Sequence, residues 1–154
     1  VVALAQHFGV SFESKPILSL CGGRCAARSV ASTWLAAGGR VHAATSRRPL
    51  PEELQSQCTA SSKNAVFGVN FDAELASAQA PFILNADYRP FEGDVESMLS
   101  SMCVPSLNGR WMLVAQHLSC WATLWAPHLR DILPSIDLLL TQLIHAEGLL
   151  SAYA

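Results

Sequence analysis

The sequence predicts an α/β domain: a small, mostly parallel sheet with helices, followed by an apolar C-terminal helical hairpin. Three observations predict it. Short apolar runs at 17–20, 40–45 and 81–85 alternate with helical text. Glycine and proline fall between these runs, where the chain must turn. In the last third, bulky apolar residues recur at the spacing of one helix face. The alternative is a mainly α domain whose short strands are misread. At 154 residues the chain is one domain's worth. Residues 1–107 form its α/β part and 108–154 its hairpin.

Taken in order, residues 1–8 suit a short helix closed by Gly9. Ile17-Leu18-Ser19-Leu20 reads as a buried strand ended by Gly22-Gly23. Arg24 to Ala37 is alanine-rich and helical, and Gly38-Gly39 is a fitting stop because glycine adopts the left-handed C-cap without steric cost. Arg40 to Thr45 returns as a strand. Pro51 opens a short helix over Glu52 to Cys58, with both glutamates favoured near its N-terminus. A further helix is expected within Asn64 to Gln79, clearest over Asp72–Ala78. Pro81 to Asn85 is the third strand, and Asp94 has the position of an N-cap for Val95 to Met102.

The hairpin has the plainest pattern. A helix is expected from Arg110 to about Trp125, stopped by Pro127. Trp111, Val114, Leu118, Trp121 and Trp125 fall on one stripe of it. A last helix runs from Pro134 to Glu147 with Gly148 as its stop, lined by Ile136, Leu139, Leu140, Leu143 and Ile144. The short link at 127–133 favours antiparallel packing.

Half of the residues are hydrophobic and 14% are charged, against about 25% charged in an average soluble domain. That excludes a disordered chain. It also leaves too few charges to cover the surface, so part of it is expected to lie against partners or lipid. The net charge of −2 gives no field for nucleic acid. Charge is uneven along the chain: residues 1–48 carry Lys15 and five arginines against Glu13, while 49–100 are mostly acidic. Such runs usually pair within a fold. Five scattered cysteines, Cys21, Cys25, Cys58, Cys103 and Cys120, form no CxxC pair. They favour a reducing intracellular or organellar compartment over a disulfide scaffold.

Chemistry is sparse. His117 and Cys120 are three apart, and Cys21 and Cys25 four apart, yet no second pair completes a tetrahedral metal site. There is no GxSxG elbow, and no motif ties a cysteine to a histidine. No catalytic residue, metal or cofactor is therefore expected.

One resemblance points elsewhere. The strand, Cys21-Gly22-Gly23 turn, helix and second strand over Ile17–Thr45 resemble the opening of short-chain dehydrogenases, with Arg47-Arg48 where that family carries basic residues after its second strand. Thr59–Leu75 is similar to the family's catalytic helix, Lys63 falling on its lysine. The resemblance implies a small Rossmann-like nucleotide-binding enzyme with Gly22, Gly23 and Arg47 at its cofactor. The chain departs from it at Ala26 and Arg28, which replace the later glycines, and at Thr59, which replaces the tyrosine.

The stretch 111–129 holds no Asp, Glu, Lys or Arg, and Arg110 and Arg130 flank it. Its polar residues, Gln116, His117, Ser119, Thr123 and His128, weigh against spanning lipid, so a core or interface helix is the better reading. Tryptophan is enriched in binding hot spots. The chain is thus expected to be a non-catalytic interaction or structural subunit. Trp111, Val114, Leu118, Trp121 and Trp125 would dock onto other protein subunits of an assembly that is soluble or in membrane contact through 111–129.

Overall fold

The computed structural model describes residues 1–44, 46–71, 80–86, 88, 96 and 106–152. Strands β1 (Ile17–Cys21), β2 (Arg40–Ala44), β3 (Ala65–Asn70), β4 (Phe82–Asn85) and the two-residue β5 (Ser106–Leu107) form one sheet in the order β2-β1-β3-β4-β5. Every pairing is parallel. The described helices are α1 (Val2–His7), α2 (Cys25–Ala36), α3 (Glu52–Gln55), α4 (Gly109–Cys120) and α5 (Ile136–Ala152). The fold is therefore a small α/β sheet with helices packed on it.

The central strands are apolar because a parallel sheet is covered on both faces. All five residues of β1 are buried. In register, Leu18 faces Val41 on one side and Phe67 on the other. Phe67 also pairs with Phe82, and laterally paired residues point to one face of a sheet. On that face Trp34 of α2 lies 6.3 Å from the Phe67 ring, and Phe8, just after α1, stacks on Phe82 at 5.2 Å. Trp111 of α4 meets Phe8, also at 5.2 Å. Helices α1, α2 and α4 consequently share one side of the sheet.

The end of α2 follows the sequence expectation. Gly38, at φ +92°, occupies the left-handed position, and its N–H donates to Leu35 O. The N–H of Gly39 donates to Trp34 O, completing a Schellman stop. Gly39 also has to be small, since a Cβ there would overlap the Trp34 indole nitrogen. That nitrogen donates to Pro16 O at 3.0 Å, which ties the helix end to the entry of β1.

Three expectations are corrected. Residues 65–70 are strand, not helix: Ala65-Val66-Phe67-Gly68-Val69 is a β-branched and aromatic run without helical period, buried at all but one position. The Asp72–Ala78 part of that expected helix, and the Asp94-capped helix over Val95–Met102, lie outside the described residues. The helix at Glu52 is a single turn ending at Gln55, and the chain then runs to Thr59, whose N–H donates to Val41 O along the outer edge of β2. Finally, α5 begins at Ile136 and passes through Gly148 to Ala152. One interior glycine costs only about 1 kcal/mol, too little to end a helix anchored by buried Leu140 and Ile144.

Among the described residues the hydrophobic core runs without a break from Leu4 through the sheet to Val114, Leu140 and Ile144. Two further ties fix α5: His7 lies 3.3 Å from Asp137, and Arg110 pairs with Glu147 at 2.7 Å.

Candidate functional site

Two features stand apart from the core. The first is the end of the α4 segment. Asn108 caps α4, its side chain accepting from the Arg110 N–H at 3.0 Å. Trp111 and Val114 are only 6% and 5% exposed, so these two members of the expected docking stripe belong to the chain's own core. Leu118 is half-buried. Past Cys120 the helix widens into one π turn, Trp121–Trp125, with Ala126 N–H donating to Trp121 O across five residues. The wider turn interrupts the α-helical period that put Trp121 and Trp125 on one stripe with Trp111 and Val114. Trp121 is 45% exposed, Leu124 71% and Trp125 59%.

The two exposed indoles pack edge to face, with centroids 5.4 Å apart. Pro127–Ile132 follows as a 3₁₀ segment and leaves Ile132 76% exposed. Along α4 and the π turn, His117 Nδ1 lies 2.9 Å from Leu113 O, and Ser119 and Thr123 donate to the carbonyls four residues back. No group of three or more metal-ligating side chains exists among the described residues. No helix among them is long and apolar enough to cross a membrane.

The second feature lies at the carboxyl ends of the strands. In doubly wound sheets, ligands bind where successive connections leave in opposite directions, here between β1 and β3. A cleft of about 560 Å³ opens there, lined by Gly22, Gly23, Arg24, Arg47, Arg48 and Phe71. Gly22 turns the chain at φ +137°, and a Cβ on it would come within 2.9 Å of the Phe71 Cβ. A Cβ on Gly23 would overlap the carbonyl oxygens of Arg48 and Pro49. Gly22 thus makes room for Phe71 and Gly23 for the chain's own 46–50 loop, in the place where the dehydrogenase resemblance puts a pyrophosphate. Arg28 Nε holds the turn by donating to Gly23 O at 3.0 Å.

On the other side of that loop, a cleft of about 470 Å³ is lined by His42, Ala43, Gln55, Cys58 and Thr59. Burial pushes the Cys58 thiol up, against a smaller opposing effect from an Ala43 backbone bond, so it is a poor thiolate nucleophile at neutral pH. The segment similar to a catalytic helix is no helix where it is described. Lys63 sits in the turn before β3, its N–H donating to Ser61 Oγ, with Asn64 at φ +68° after it. The sheet order also differs from the dinucleotide order 3-2-1-4-5-6, since no described strand lies outside β2.

Comparison of the chain with family models, curated proteins and solved structures finds no match.

The sequence reading named Gly22, Gly23 and Arg47, with Arg48 beside it, and the fold brings Arg24 to the same cleft. It also aligns a polar row that the reading missed. Cys21 pairs with Asn70 and Asn70 with Asn85 across β1, β3 and β4, while Asn108 follows Leu107 as Asn85 follows Leu84. Asn70 is buried and donates to Asn85 Oδ1 at 3.0 Å. The available signal was an asparagine ending each of two apolar runs, Val66 to Asn70 and Phe82 to Asn85.

Proposed function

We propose that this chain is a non-catalytic docking subunit that joins a larger protein assembly through the face made by Trp121, Leu124, Trp125 and Ile132. The observation that carries the reading is the exposure of two adjacent tryptophans at the turn where α4 leaves the core. A half-exposed indole leaves on the order of 100 Å² of ring uncovered, about 2.5 kcal/mol of unused burial for each ring at 25 cal/mol per Å². Contiguous apolar exposure of this kind marks interaction sites. Tryptophan also supplies anchor residues at low entropic cost.

The docking set is accordingly narrower than the sequence stripe. Trp121 and Trp125 are its centre, Leu118 is its margin, and Trp111 and Val114 support it from within.

Replacing Trp121 and Trp125 together by alanine tests the reading. The melting temperature of the isolated chain should stay within a few degrees of the parent, while co-purification with its native assembly is lost. Collapse of the fold in the double variant would place the two rings in the core and end the proposal.

A further inference from the structure

The arginine-lined cleft at the carboxyl end of β1 is separate from the docking face and carries an inference of its own. Its volume of about 560 Å³ lies within the 300–1,000 Å³ typical of small-molecule sites. It sits where doubly wound sheets hold their ligands. Its wall contains Arg24, Arg47 and Arg48, brought together from two different connections, together with the ring-bearing Phe71. We propose that this cleft binds a phosphate monoester of a small organic molecule.

The Arg24 and Arg48 guanidinium groups select the phosphate. Each offers a planar fork of donors that matches two phosphate oxygens, and arginine keeps its charge at any physiological pH. The backbone behind them is fixed. Ser46 Oγ donates to Arg48 O at 2.6 Å, and Gln55 Nε2 donates to Leu50 O at 2.6 Å, so the 46–50 loop is braced from both ends. Arg24 stands at the N-cap of α2 without a side-chain capping bond.

The site differs from a dinucleotide cradle. The Arg48 and Pro49 carbonyls over Gly23 would repel a pyrophosphate laid on the turn, so the phosphate lies toward Arg24 and Arg48 instead. The remaining volume, bounded by Gly22 and Phe71, takes the organic part of the ester. Inorganic phosphate alone fills only a fraction of it.

Calorimetric titration of the full chain with inorganic phosphate, ribose 5-phosphate, AMP and adenosine tests the assignment. At least one of the two esters should bind at least tenfold tighter than inorganic phosphate, and adenosine should not bind. Arg24→Gln with Arg48→Gln should weaken the ester by at least tenfold while the circular dichroism spectrum stays that of the parent. Equal affinity for ester and inorganic phosphate would overturn the ester assignment. Absence of saturable binding of either ester, or binding unchanged in the folded double variant, would overturn the site. If R24Q/R48Q fails to fold, each single variant is titrated instead under the same criteria. The Trp121/Trp125 double variant should bind the ester as the parent does, which separates this outcome from that of the docking reading.

Discussion

Arg110, in the first turn of α4, and Glu147, near the end of α5, form an ion pair in which the arginine side chain is only 3% exposed. Two donors converge on one carboxylate oxygen, Nη2 at 2.7 Å and Nε at 2.8 Å. Tyr88 OH donates to the other oxygen, and the guanidinium carbon sits 4.7 Å over the Tyr88 ring. The pair joins the two C-terminal helices to the segment following β4.

Breaking a buried pair from one side leaves a charge without its partner. Arg110→Met should therefore destabilise the chain by about 3–5 kcal/mol. Adding Glu147→Leu should recover most of that loss, because the apolar pair avoids desolvation altogether. Urea denaturation of the parent, the single and the double variant measures both steps.

Burial raises the Glu147 carboxyl above its ordinary 4.5, and burial likewise lowers Arg110. A raised folded value means that the stability contributed by Glu147 is fully present below pH 4.5 and is lost as pH rises through the folded value. The parent should therefore lose stability relative to Glu147→Gln on going from below pH 4.5 to neutral pH. Paired urea titrations at the two ends of that window read the difference, and its sign is the test.

Trp34 and Trp111 are both buried but should respond unequally to phenylalanine. Trp34→Phe removes the donor to Pro16 O and opens space beside Gly39, so a loss of about 2–4 kcal/mol is expected. The Trp111 indole nitrogen is buried with no hydrogen-bond partner among the described residues. Trp111→Phe removes that orphan donor, and its cost should stay below about 1 kcal/mol. Thermal unfolding of the two variants ranks them directly.

Asn70→Ala should cost about 1–3 kcal/mol, since it takes the donor from Asn85 Oδ1 at a buried position. The measurement is the denaturation midpoint. A shift of the midpoint without a change of slope is expected if the row only closes the end of the sheet.

Much of this fold is legible locally. The run Ile17–Leu20, the alanine-rich helix and the Gly38-Gly39 stop each carry their own steric or periodic signal, and the structure repeats them within a residue or two. β3 is harder, because a strand buried on both faces has no alternation, and its Ala and Asn flanks suit a helix as well. Periodicity placed Trp111 through Trp125 on one stripe, but it cannot say how far the core beneath extends. The π turn at Trp121, which ends the stripe, has no composition of its own. The cleft is partly visible in the same way. Gly22, Gly23, Arg47 and Arg48 stand out along the chain, whereas Arg24 and the asparagine row acquire meaning only from strand order and register.

The docking face is tested most directly by hydroxyl-radical footprinting of the chain alone and within its native assembly. Trp121 and Trp125 should be oxidised in the isolated chain and protected in the assembly, while Trp34, enclosed by its own neighbours, stays protected in both. Equal oxidation of Trp121 and Trp125 in the two states would contradict the account.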